Sequence, residues 1–401
     1  LLSGISMDGK HFFYPNPLAS VGQHERREWF GCACCPGNVT RFIASFPGYM
    51  YGVSGEKLYV NLYASGTAEL SISGHRVRVV QDTDYPWDGS ISLRISPEQQ
   101  EADFAVGLRI PGWARGEPVP TDLYGFVDDT PADVTISVNG EKQDATIRNG
   151  YVFIKRAWKA DDHIRITIPM RINRITAHDS VAAGRGRVAL QRGPLVYCVE
   201  WPDTEDGHVH SLLLEDDAEL SVSRADDLLG GVSLISGTAG AYYRKEDGML
   251  ASEKQEFSAI PYYSWAHRGP GEMSVWLARD TGAVKPAGLP TIASQSRVTV
   301  SFGKDPEAVN DQLEPSRSGD HEVPFFHWWP HKGTEEWVQY DFLEPAEVSI
   351  VDVYWFDDTG RGECRIPDSW EILYRQDGTW RPVYSEDPYP LSKDEYNRVI
   401  F

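Results

Sequence analysis

Between Leu58 and Ile168 apolar and polar residues alternate in short runs. The runs are Leu58–Tyr63, Ala68–Ile72, Phe104–Ile110, Val134–Val138 and Ile164–Ile168. A period of two sends one set of side chains to a buried face and the other to solvent, which is the pattern of half-buried strands. Asn139-Gly140 and Asn149-Gly150 fall between runs and supply the positive φ angles that tight hairpin turns need. The text therefore predicts a mainly β protein built from antiparallel β-sandwich or jelly-roll domains. One stretch departs from it. Val39, Phe42, Ile43 and Phe46 follow the i, i+3, i+4, i+7 spacing of an amphipathic helix, with Asn38 as its N-cap and Pro47-Gly48 as its stop. Residues 1–30 read as loops, with a turn at Ser6–Lys10 and an irregular Tyr14-Pro15-Asn16-Pro17.

Further along, Arg187–Tyr197 reads as a buried strand, a turn and a second strand. The aromatic strand text lapses over 201–257, which is more acidic, and returns at Ile260-Pro261-Tyr262-Tyr263. The expected organisation is a first sandwich over 51–200 and 258–280 with a smaller inserted β domain at 201–257. A Gly-, Ala-, Pro- and Ser-rich linker follows at 281–297. A last β module starts near Val298, with strands around 337–342, 348–355 and 370–374.

Chemistry concentrates at Gly31-Cys32-Ala33-Cys34-Cys35-Pro36-Gly37-Asn38, where three of the chain's five cysteines fall within four positions. Neighbouring cysteines are poorly placed to bond to each other. A thiolate is both a strong nucleophile and a soft zinc ligand, and the positive end of a helix dipole favours it. Three readings stand: a structural zinc site, which would want a second ligand pair that the rest of the chain does not offer; inert core cysteines; and a catalytic thiolate held by zinc with ligands from elsewhere. Cys198 and Cys364 stand alone in strand text and read as buried thiols.

Other features are less specific. A net charge of −21 argues against nucleic acid and anionic membrane surfaces as partners. No apolar run is long enough for a membrane-spanning helix. Thirteen Trp and nineteen Tyr suit carbohydrate stacking or an aromatic-rich sandwich core. His11, His24, His327 and His331 are candidate ligands or acid–base groups, though each alone more often serves the surface. His24–Glu28 reads as a solvated charge run, and Trp328-Trp329-Pro330-His331 as a stacking platform or ordinary packing. Asp357–Gly362 reads as a plain turn ahead of a calcium loop.

Several separate motifs, in one order, resemble glycoside hydrolase family 127, the β-L-arabinofuranosidases, and the related family 146. They are Trp29–Pro36, Tyr59–Tyr63, Leu108–Trp113, Leu190–Tyr197 and Ile260–Tyr263. The resemblance implies that residues 1–50 are the C-terminal end of an (α/α)6 barrel, followed by β-sandwiches. It also likens 298–401 to the discoidin-like jelly rolls appended to some bacterial members, here short of a closing strand. It further implies a retaining glycosidase that releases β-L-arabinofuranose from arabinose-containing glycans, with Cys34 as nucleophile and Zn2+ ligand. Cys35 becomes a second Zn2+ ligand, Cys32 a neighbour outside the metal's first shell, and Tyr14 a residue lining the sugar. The remaining ligands and the acid/base Glu lie upstream in the family. The chain is thus expected to be a segment of a longer enzyme, to need the upstream barrel, and to be inactive alone. A non-catalytic carbohydrate-binding or assembly protein with a vestigial cysteine loop is the alternative. The compartment stays open.

Overall fold

The structure is a computed structural model that describes residues 4–13, 15–29, 32, 34–128, 130–245, 247–386 and 388–401. Two compact units emerge. The first comprises 1–20, 25–242 and 251–286, and the second 21–24, 243–250 and 287–401. The chain is mainly β, as its alternation predicts.

A short strand β1 (Ala19–Val21) lies within the opening loops, and α1 (Pro36–Ser45) and α2 (Pro47–Met50) follow. The helix starts earlier than its apolar spacing suggests. Cys35 is the N-cap and Pro36 opens the first turn, while Asn38 lies inside and donates its backbone N–H to the Cys35 carbonyl at 2.9 Å. Proline is at home there, since its fixed φ suits the helix and its missing N–H would have no partner anyway. Pro47 likewise opens α2 instead of ending a helix at a loop. No residue of α1 is buried, and Phe42 and Ile43 are about half exposed at 48% and 57%.

Two facing sheets follow. β2 (Tyr51–Ser54), β3 (Lys57–Val60), β4 (Gly66–Ile72), β5 (His75–Thr83), β6 (Ser90–Pro97) and β7 (Glu101–Arg109) come first. β8 (Tyr124–Phe126) joins a later sheet, and β9 (Thr135–Val138), β10 (Glu141–Lys142), β11 (Tyr151–Lys159) and β12 (Asp162–Thr167) return. One sheet has the order β10-β9-β12-β6-β5-β4 and the other β11-β7-β3-β2, in which β3 and β7 run parallel. Their alternating inward residues form one core, with Ile91, Leu93, Ile95, Ile164 and Ile166 from the first sheet and Leu58, Phe104, Leu108 and Trp158 from the second. Burying each such side chain is worth about 1.5–3 kcal/mol. The Asn-Gly turns form as expected, with Asn139 and Asn149 at φ +51° and their glycines at +86° and +81°.

The break between cores falls between Ile168 and Ile172. β13 (Ile172–Ala177), β14 (Arg187–Arg192), β15 (Leu195–Glu200), β16 (Leu212–Leu213), β17 (Leu220–Ala225), β18 (Val232–Arg244), β19 (Leu250–Pro261), β20 (Glu272–Ser274) and β21 (Trp276–Ala278) belong with β1 and β8 to one eleven-stranded sheet. The segment expected as an insertion, 201–257, supplies β16, β17 and nearly all of the β18–β19 hairpin. It therefore shares a sheet with 172–200. Alternation marks a strand but not the sheet it joins, so a break inside continuous strand text leaves no trace in composition.

In the second unit β22 (Arg297–Val300) pairs with β23 (Val338–Asp341), β24 (Ile350–Tyr354) with β27 (Tyr396–Ile400), and β25 (Leu373–Gln376) with β26 (Thr379–Pro382). Asp357 is nearly buried, and its carboxylate accepts from the Thr359 hydroxyl and from the N–H groups of Thr359 and Ile366, while Lys393 pairs with it at 2.7 Å. Those partners hold the Asp357 carboxyl well below its usual range against the opposing effect of burial. The Asp357–Gly362 loop is a self-satisfied turn.

Candidate active site

The cysteine run is carried on the start of α1. Cys32, Cys34 and Cys35 are exposed, and none is in a disulfide. The Cys34 and Cys35 sulfurs lie 3.7 Å apart. Two sulfurs bound at about 2.3 Å to one tetrahedral zinc would be about 3.8 Å apart, so this pair spans one edge of such a site. Among the described residues no group of three His, Cys, Asp or Glu side chains is placed to hold a metal. Among the described residues, these two sulfurs are spaced as two corners of such a site would be. Tyr14 lies outside the described residues.

The segment leading into the cysteines is anchored on the turn after β19. Phe12 and Arg27 exchange backbone hydrogen bonds at 2.7 and 3.0 Å, closing a loop between them. Phe12 meets Trp29 edge-on at 5.4 Å. Phe13 is buried against Trp265 at 4.9 Å, and Trp265 stacks on Tyr262, whose hydroxyl donates to the Pro17 carbonyl at 2.7 Å. Burial pushes the Tyr262 phenol up to about 12, with the Cys198 thiol adding to it. Tyr262, within the aromatic run Ile260–Tyr263, and Trp265 thus tie this turn to the segment that leads to the cysteines.

The same turn carries a charged centre that sequence patterning missed. Arg26 stands in a charge run that reads as solvated, yet it is only 8% exposed and donates to the carbonyls of Trp265 at 2.8 Å and Ala266 at 2.5 Å. Burial pushes its guanidinium down, and the Glu200 carboxylate partly offsets this. Glu200, 2% exposed, accepts from the Ala266 N–H at 2.6 Å and pairs with Arg268, which also binds Asp203. Burial lowers Arg268, but those carboxylates more than offset it and hold it above its ordinary range. Cys198 is buried as expected, and desolvation raises its thiol well above the ordinary value. Cys364 is half-buried.

The remaining candidates lie apart from the cysteines in the sequence and have local partners. His11 is within 3.8 Å of Asp8. His331 stacks on Phe302 and bonds Glu336 at 2.6 Å, and the exposed Trp329 carries Lys332 over its ring at 4.8 Å.

Three models of successive domains in one family match the chain in order. The β-L-arabinofuranosidase family 127 catalytic domain matches residues 1–48, the family 127 middle domain 57–170, and the family 127 C-terminal domain 172–278. The chain belongs to glycoside hydrolase family 127. The join between the last two matches coincides with the break between the cores.

Among the family's members, a non-reducing end β-L-arabinofuranosidase of Bifidobacterium longum subsp. longum is 33% identical over 305 residues, which cover 69% of this chain and 43% of that protein. A solved family 127 β-arabinofuranosidase is 45% identical with a TM-score of 0.68, covering 72% of this chain and 45% of the other. The family 127 β-L-arabinofuranosidase of Geobacillus stearothermophilus is 39% identical with a TM-score of 0.61, covering 69% and 44%. The chain thus spans less than half the length of these relatives. No helix among the described residues is long and apolar enough to cross a membrane.

Proposed function

We propose that this chain is the C-terminal part of a retaining β-L-arabinofuranosidase acting on arabinose-containing glycans. The observation that carries the reading is the Cys34–Cys35 sulfur pair at the mouth of α1, within the segment that matches the family's catalytic domain. Its two sulfurs, 3.7 Å apart, suit one edge of a tetrahedral zinc. In this reading residues 1–50 close an (α/α)6 barrel whose other helices supply the acid/base carboxyl and the remaining zinc ligands. Tyr14 lines the sugar, and 298–401 is an appended discoidin-like jelly roll.

Cys34 is the nucleophile. Its sulfur attacks the anomeric carbon as the glycosidic C–O bond breaks, and the barrel's carboxylic acid protonates the departing oxygen. Water then attacks the same carbon with its proton passing to the carboxylate, the C–S bond breaks, and the Cys34 thiolate is restored. Two displacements at one carbon retain its configuration. Cys34 and Cys35 would hold zinc, which when bound would supply the positive charge that favours thiolate. Cys35, as the N-cap residue, joins the loop to α1, its carbonyl accepting from the Asn38 and Val39 N–H groups.

The test is arabinose release from an aryl β-L-arabinofuranoside by the full-length protein. Cys34→Ala should cost about 10³-fold or more in kcat. Intact turnover in that variant would sink the thiolate mechanism. A full-length protein that binds the glycan without any turnover would favour the non-catalytic reading.

A further inference from the structure

We infer that Arg26 is a positioning residue for the cysteine loop, held in place by a buried Arg268–Glu200 pair in the C-terminal domain. The inference rests on the reading of Cys34 as nucleophile but concerns how that side chain is aimed.

A guanidinium at 8% exposure is costly unless its donors are satisfied and its charge is balanced. One loop supplies acceptors for part of the Arg26 guanidinium, and the Glu200 carboxylate acts on its charge. Its Nη1 donates to two successive carbonyls, those of Trp265 and Ala266. The Phe13 ring lies under its charge at 5.4 Å. The turn that presents those carbonyls holds Ala266 at φ +59°, a conformation unfavourable for a residue with a Cβ. The Ala266 N–H is secured by Glu200 at 2.6 Å. Glu200 in turn is fixed by the fork of Arg268, which bridges to Asp203. The relay therefore runs from Arg268 to Glu200, to the Ala266 turn, and to Arg26.

On the other side of Arg26 the connection is short. The adjacent Arg27 is paired through its backbone to Phe12, Phe12 packs on Trp29, and Trp29 stands just ahead of Cys32. A rigid anchor here fixes where the chain enters the cysteine run, while the Arg27 side chain is exposed and plays no part in it. Both bonds leave from one nitrogen, Nη1, whose place is set by the rigid guanidinium plane lying over Phe13, and a lysine's flexible ammonium does not reproduce that placement.

The experiment uses the full-length protein with Arg26→Lys, Arg26→Met and, as control, Arg27→Met. Three quantities are read: kcat and KM on an aryl β-L-arabinofuranoside, the pH profile of Cys34 alkylation by iodoacetamide in metal-stripped protein (followed on the Cys34 peptide by mass), and the thermal midpoint. Both Arg26 variants should lose about 10–100-fold in kcat, as a misaimed reacting group does, with KM within about threefold and a displaced alkylation profile. Arg27→Met should match the parent in all three. An Arg26→Lys protein with a parental alkylation profile and parental kcat overturns the inference, even if its midpoint drops. Alkylation does not depend on turnover. If Arg26→Lys displaces the profile while Cys34→Ala remains active, the positioning role stands and the nucleophile assignment falls.

Discussion

At the level of single residues, burial decides the chemistry of Asp311. Its carboxyl is pushed up to about 6 by desolvation, against the bond that Leu313 N–H donates to Oδ1 at 2.9 Å. Oδ2 is buried with no hydrogen-bond partner. Between the ordinary carboxyl value and about 6 the unfolded chain has lost this proton while the folded chain keeps it. Stability therefore falls as pH rises through that window, and the penalty is complete above it. Asp311→Asn keeps the Oδ1 acceptor and removes the charge. It should stabilise by about 1–2 kcal/mol at pH 7, discounted for partial solvent access, and by little at pH 4. Denaturant melts at the two pH values check this, and an equal gain at both would refute it. Residues differ in how far the sequence exposes such roles. Cys34 and Cys35 stand out as candidates because three cysteines in four positions have few bland explanations. Arg26 does not, because its burial depends on carbonyls 239 and 240 residues further on.

At the level of elements, the β14–β15 hairpin shows what a turn requires beyond its residue types. Gly193 sits at φ +58°, and a Cβ there would lie 2.2 Å from the Met170 sulfur. Gly193→Ala adds a backbone cost of about 1–2 kcal/mol for the left-handed conformation and forces Met170 to move. A total loss of about 2–4 kcal/mol is expected, read as a lower urea midpoint at unchanged slope. A change below about 0.5 kcal/mol would show that the turn relaxes freely. The strand, turn and strand of this hairpin are readable from Arg187–Tyr197, and so are the Asn-Gly turns. The start of α1 is not, because Pro36 marks a loop and a first helical turn equally well. Nor is the membership of 201–257, since a strand's partners are chosen by packing across sheets and not by its own alternation.

At the scale of the whole molecule the two units differ in what holds them together. The first has cores of side chains almost wholly withdrawn from water, among them Leu58, Ile95, Leu108, Trp158, Leu212 and Ile260. In the second, among the described residues, Val399 alone is a buried hydrophobic side chain. Its order rests on polar staples instead. Asn397, fully buried, donates to the carbonyls of Val353, Ser392 and Glu395, and Ser318 and Asp394 exchange two bonds. Aromatic pairs such as Tyr354–Tyr396 add to it while remaining partly exposed. A hydrogen bond adds about 1 kcal/mol net, less than a buried large aliphatic side chain. The second unit should therefore open at lower free energy. Backbone amides of β22–β27 are expected to exchange at least about 10²-fold faster than those of β5, β6, β7 and β11, and calorimetry should resolve two transitions. Asp311 lies in the second unit, so at pH 7 Asp311→Asn should raise the lower transition and leave the upper one in place. A single transition with uniform protection, or earlier opening of the first unit, would mean that polar staples stabilise the second unit as firmly as apolar burial does the first.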